Sequence, residues 1–394
     1  MHRRRMTEAR RLSLVLGLTQ TLAYVTSYYV PAVVTASVAR DLGASPTLLL
    51  GGFSWAMLVA GFISPRVGAW IDRAGGRGVL ALGKALLGAG LVAMSAVTSP
   101  VGWYVAWTVM GLGMGLGLYD AAFATIGRLV GGNARSVIVG VSLIGGFASS
   151  IGWAAGAASV DWLGWRATLL AYAAINLAIN LPLVLLLVPA AQPAATEKAA
   201  PRAPRHEPAE TRRSFVLLSI FFSARSGILA VVSVHILYLL QGLGLSAAAA
   251  VGTAALIGPA QVAARIAEWS VMRWTTPLTI SRLGAFLLPL GVGGLLIGGP
   301  VWAFAVSYGV SNGVLTISRG VLPLYLFGTE GYAARIGRLA LPSLLTAAAA
   351  PTLVTPLVLA FPAWQVLLWG GVLSFAVALC LIPLRDPVAA NARI

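Results

Sequence analysis

The sequence predicts an all-α polytopic membrane protein of twelve transmembrane helices, arranged as two pseudo-symmetric six-helix bundles. Three observations carry this. Of 394 residues, 58% are hydrophobic and 10% charged, about half the charged share of ordinary soluble domains. The apolar residues fall in continuous runs of about 20 to 25, the length a helix rising about 1.5 Å per residue needs to cross some 30 Å of hydrocarbon. One long polar, proline-rich interval, PAAQPAATEKAAPRAPRHEPAETRR at 189–213, divides the runs six and six. A β-barrel would alternate apolar and polar residues over segments of about ten, so these Leu-, Ala-, Val- and Gly-rich runs read as helices.

The first span is expected at 12–36. The basic leader MHRRRMTEARR before it and TASVA at 35–39 imitate a signal peptide and its cleavage site. The apolar stretch between them, about two dozen residues, is too long for a signal-peptide core, so it reads as a retained span. Five more follow at 47–70, 78–98, 101–129, 136–158 and 165–188, closing an N-terminal bundle at 1–188. The interval 189–213 has the composition of a flexible linker with no core of its own. The C-terminal bundle, 214–394, takes the spans at 214–241, 246–270, 277–298, 301–327, 336–360 and 364–384. The third and ninth are short.

The basic residues orient these spans. With both termini inside, the leader, the loops near 73, 132, 273 and 332, the linker and the tail all face the cytoplasm. Of the 27 Lys and Arg residues, only Arg40 and Arg166 then fall outside, and Arg225, Arg265 and Arg319 lie within spans. This is the positive-inside pattern, expected of a cytoplasmic (inner) membrane protein. It accounts for a net charge of +16 through basic loops facing anionic lipids, with no nucleic acid required.

The halves also echo each other. Trp103 precedes Asp120 by the same interval as Trp302 precedes Arg319, in the fourth span of each half. Asp72 and Arg77 after the second span are answered by Glu268 and Arg273 after the eighth, which points to a duplicated six-helix unit.

GAWIDRAGGR, Gly68 to Arg77, lies in the loop between the second and third spans. Through Gly68, Asp72, Arg73, Gly75 and Arg77 it resembles the signature loop of the major facilitator superfamily, departing only at Gly78, where a second base is the family pattern. The resemblance implies two six-helix bundles rocking about a central cavity. Gly68 would permit close helix approach, and Asp72 could sit at a helix N-terminus, where the dipole favours negative charge. Arg73 and Arg77 could pair with carboxylates or phosphates. Together with Glu268 and Arg273, these residues form a candidate conformational latch. The alternative is a turn anchored in the headgroups.

Other stretches carry less. GLGMGLG at 111–117 imitates a nucleotide fingerprint but lies inside a span, where Gly111 with Gly115 and Gly113 with Gly117 make two small-residue packing steps. Cys380 stands alone, and three histidines show no ligand spacing, so no metal and no cofactor is expected. Trp107 stands where the superfamily has an arginine early in span four. Trp153 replaces the proline expected of an exchanger's fifth span.

Charges at membrane depth cost at least about 2.5–3.5 kcal/mol on insertion scales, so they need partners or purposes. Arg225 lies near the middle of the seventh span and is the candidate clamp for an anionic substrate, since a guanidinium can hold a carboxylate in two places. Tyr24, Tyr28, Gln20 and Asn312 are its candidate companions, supplying shape and hydrogen bonds. Asp120 and Arg319, equivalent in the two halves, are the candidate proton-coupling pair; the bland alternative is a permanent ion pair. Arg265 and Glu268 read as an i,i+3 pair at the water interface, and His235 as a packed histidine.

The expectation is therefore a monomeric secondary transporter, not an enzyme, moving a small organic anion with proton coupling. A proton-driven exporter of neutral or cationic compounds is the rival within transport. A non-transporting sensor or a membrane enzyme is the rival from another class.

Overall fold

The computed structural model describes residues 2–190 and 209–387, so most of the expected linker, 189–213, lies outside the described residues. Those residues are almost entirely helical, with no strand among them. Nine segments are long and apolar enough to cross a membrane, and the helix Ala363–Leu379 is shorter. One of the nine, Pro100–Leu187, is 88 residues long. A 3-10 turn at Gly131–Asn133 and a non-helical Gly164 with φ 76° divide it into three. The expected twelve spans are all present, and the chain is a multi-pass membrane protein.

Local chemistry sets where several spans begin. Ser45, Ser99, Ser246 and Thr276 each accept a backbone N–H from the residue three further on, the N-cap arrangement that satisfies an orphan donor. Proline follows directly in three cases, at Pro46, Pro100 and Pro277, where its missing N–H costs nothing. Ser45 opens the second span and Ser246 the eighth, so the repeat extends to the caps.

Four spans are broken where the sequence suggested continuity, the eighth among them, as Ala247–Ala255 and Ile257–Val271. The first runs as His2–Val25 and Val30–Leu42, with a turn between them. The fourth is Pro100–Gly117 and Tyr119–Val130, interrupted at Leu118, whose ψ of −167° is extended. The fifth breaks between Gly145 and Ala148. No proline stands at the break at Leu118. The sixth span contains a π-helical turn, Ile175–Asn180.

The chain divides into two compact units, Met1–Ala195 with Thr329–Leu341, and Thr196–Gly328 with Pro342–Ile394. In the first, span four is the hub. The backbone of span two, at Ala56 and Ala60, lies where a Cβ on Gly111 or Gly115 would fall, and that of span three, at Leu87 and Gly83, lies likewise opposite Gly113 and Gly117. The two small-residue steps thus face two different helices. In the second unit, Gly309 and Gly313 of span ten meet the carbonyls of Ile257 and Gln261 of span eight in the same manner. The duplication is therefore one of packing as well as of sequence.

Candidate functional site

The second unit holds a small cleft lined by spans seven, nine, ten and twelve. Arg225 of span seven (Ala209–Gly242) and Asn312 of span ten (Val301–Phe327) line it together. Arg225 Nη2 donates to Asn312 Oδ1 at 2.7 Å and approaches the Asn312 carbonyl at 3.5 Å. Two sequence candidates are thus brought into direct contact. No hydrogen bond from Arg225 Nη1 or Nε occurs among the described residues. Arg319 lies near enough for its charge to be felt at Arg225, and so does the Tyr308 phenol. Phe221, Leu229, Leu288 and Leu315 make most of the wall apolar, and none of the lining residues is acidic. At the far wall, Ser374 is buried and its hydroxyl has no hydrogen-bond partner among the described residues, a feature that an isolated serine in an apolar run does not announce.

In the first unit, Tyr24 just before the break in span one and Tyr28 within it gather an aromatic group. Tyr24 lies 4.7 Å from Tyr119 and 5.7 Å from Tyr28 between ring centroids, and Tyr28 meets Phe53 edge-on at 5.2 Å. Tyr28 is exposed. Gln20 is fully buried, and its Nε2 donates to the Gly117 carbonyl at 2.9 Å. Its acceptor is the last residue of the first piece of span four.

Asp120 occupies the first turn after that break. It lines a cleft of about 200 Å³ with Ser64, Gly68, Ala333 and Gly337, and its charge reaches the Tyr332 phenol. Tyr332 is itself packed on Gly127 of span four.

The signature loop sits beside this cleft. Asp72 Oδ1 and Oδ2 accept the backbone N–H groups of Ala333 and Ala334 at 3.3 and 2.8 Å. These are orphan donors of the first turn of span eleven, Tyr332–Ala360. A carboxylate there satisfies two of them and lies on the positive end of the dipole. Gly68 makes the approach possible, because a Cβ on it would stand 2.2 Å from the Ala333 carbonyl oxygen. One turn further along span eleven, Gly337 makes the same accommodation to the Ser64 carbonyl. Sequence reasoning missed Gly337, because its partner, the Ser64 carbonyl, lies far away in the chain. Gly75, with φ 82°, ends span two and begins span three, a backbone conformation that favours glycine. Arg73 is exposed and Arg77 half-buried.

The echo in the second half is arranged differently. Arg265 and Glu268 are both buried, at 5% and 4% exposure, so the interfacial pair expected from the sequence lies inside the protein. Arg273 is exposed and stacks on Trp274, 3.9 Å from the ring centroid. His235 meets the Thr355 hydroxyl at 3.1 Å. The sequence reading also passed over Lys84. It stands in the middle of span three, fully buried, with Nζ donating to the Gly117 carbonyl at 2.7 Å.

A family model described as the Major Facilitator Superfamily matches residues 16–332. Among solved structures, the human organic anion transporter MFSD10 (TETRAN) superposes with a TM-score of 0.72 at 14% identity, over 95% of this chain and 99% of that one. The proton:xylose symporter XylE, bound to 6-bromo-6-deoxy-D-glucose, superposes with a TM-score of 0.71 at 16% identity, over 95% of each chain. Identities this low speak for a shared fold alone. No curated protein matches the chain.

Proposed function

We propose that this chain, which belongs to the Major Facilitator Superfamily, is a secondary active transporter that moves a small organic anion across the cytoplasmic membrane by alternating access, coupled to protons. The observation that carries the cargo class is Arg225. One of its nitrogens is fixed by Asn312 at 2.7 Å, which orients the guanidinium and leaves Nη1 and Nε for a carboxylate. A planar fork pre-oriented by a neutral partner loses little freedom on binding an anion. The charge of Arg319 nearby and the absence of acidic lining residues favour the same sign of cargo. The apolar remainder of the wall suits an organic body.

In this cycle Asp120 carries the proton, and Arg319, at the matching place of the repeat, supplies charge to the anion. Asp72, Gly68 and the start of span eleven act as the latch. The two hydrogen bonds at Asp72 hold in one state and break in the other, so they bias an equilibrium without touching the cargo. Both termini face the cytoplasm.

A neutral or cationic cargo is the second reading, favoured by the Tyr24, Tyr28 and Tyr119 rings, on whose faces an organic cation binds well. Reconstituted proteoliposomes under an imposed pH gradient separate the two, with labelled benzoate, citrate and ethidium as probes. Uptake of a carboxylate that is lost in Arg225→Gln supports the anion reading. Transport of ethidium with both carboxylates refused overturns it.

A further inference from the structure

The buried Lys84 belongs to none of the roles assigned so far. Its ammonium is enclosed in the first unit at 0% exposure, on a run of span three that is otherwise apolar and glycine-rich, and its hydrogen bond goes to one atom, the Gly117 carbonyl oxygen. That same oxygen receives Gln20 Nε2 from span one. Gly117 is the last residue of the first piece of span four, and Leu118 after it is extended. Three spans therefore converge on one carbonyl at the point where a helix is interrupted.

The charges on either side of the interruption follow the helix dipoles. The piece Pro100–Gly117 ends in carbonyls that form its negative pole, and Lys84 places a cation there. The piece Tyr119–Val130 begins with N–H groups that form its positive pole, and Asp120 stands in its first turn. Each charge thus favours a broken helix over a continuous one, since closing the ladder removes both poles. Close packing keeps the lysine in place, because a Cβ on Gly83 would stand 2.7 Å from the Gly117 backbone. The phenols of Tyr119, Tyr24 and Tyr332 also lie near the break.

We propose that Lys84 is a positioning residue which, by holding the Gly117 carbonyl, keeps span four broken at Leu118 and so sets where Asp120 stands. Its importance for transport rests on the coupling role proposed for Asp120. Its effect on the helix does not.

The test reads the helix directly. In full-length protein with Cys380→Ser, nitroxides at Val105→Cys and Leu129→Cys bracket the break, and pulsed electron–electron resonance gives the distance distribution between them. The wild-type distribution should be narrow. Lys84→Met should widen it about twofold or split it, and Lys84→Arg should narrow it again. Should Lys84→Met fail to reconstitute, Lys84→Gln is read in its place, with the same widening expected because the charge is gone. A wild-type distribution in the neutral variant overturns the proposal. So does a Gln20→Leu variant that widens as much with Lys84 intact, since the brace would then be the glutamine. Proton-driven accumulation retained in Asp120→Asn would end the coupling reading and leave these distances unaffected.

Discussion

The carboxylate of Asp72 takes the backbone N–H groups of Ala333 and Ala334 at 3.3 and 2.8 Å, across 261 and 262 residues of chain. A bond of this kind acts on the helix end it caps. Removing an N-cap acceptor typically costs about 0.5–2 kcal/mol, so Asp72→Asn, which weakens both bonds and drops the charge, should change the balance between states. The transport rate is expected to fall about tenfold while the Michaelis constant moves less than about threefold, 1.4 kcal/mol being a factor of ten. Initial-rate kinetics in proteoliposomes check this; equal rate and affinity in the variant would refute a latch.

Gly68 and Gly337 should be intolerant of even one methyl group. Each would place a Cβ 2.2 Å from a backbone oxygen, Ala333 for one and Ser64 for the other, and backbone cannot move aside as a side-chain tip can. Gly68→Ala and Gly337→Ala are each expected to separate these helices and expose the cleft at Asp120. Alkylation of a cysteine placed at Ala124 should accelerate at least several-fold in either variant.

Arg225→Lys keeps a charge and loses the fork. An organic anion should bind about tenfold more weakly, or worse, corresponding to about 1.4 kcal/mol. Asn312→Ala should weaken it less, because it frees the guanidinium without removing it. Equilibrium binding of the transported carboxylate measures both, and a lysine variant of undiminished affinity would exclude the clamp.

Asp120→Asn should abolish accumulation driven by a pH gradient and leave exchange of substrate across the membrane intact. A permanent structural role makes a different forecast, in which folding and exchange are lost together. Size-exclusion profiles and counterflow assays on the same preparation distinguish the two.

The span count and the signature loop were legible because each rests on a strong local rule. Twenty apolar residues in a row have one solution in a bilayer, and a glycine four residues before an acid at a helix end describes a close approach beside a cap. The breaks in spans one, four, five and eight were not legible; at Leu118 no proline marks the interruption, and the groups that meet the Gly117 carbonyl come from other helices. Lys84 escaped for a related reason. Inspection of charge favoured the arginines, and a lone lysine in ALGKALLG looks like part of the preceding basic loop until spans one, three and four are brought together. Gln20 is a candidate through its place beside Tyr24 in QTLAYVTSYY, and its bond to the Gly117 carbonyl could not be read there, because a sequence does not say which way a helix is turned.

Arg282 gives the last span a dependence on an earlier one. It donates to the carbonyls of Leu381, Ile382 and Leu384 at 3.1, 2.9 and 2.6 Å, just beyond the end of Ala363–Leu379. That helix has 17 residues, about 25 Å at 1.5 Å each, short of the roughly 30 Å of a hydrocarbon core. The carbonyls that follow it have no further helical turn to bond to, and the ninth span supplies their donor. The end of the final span is therefore seated by a span three earlier in the chain. Arg282→Ala should leave a full-length product whose C-terminal tail is cut by protease in intact membranes at sites protected in the wild type.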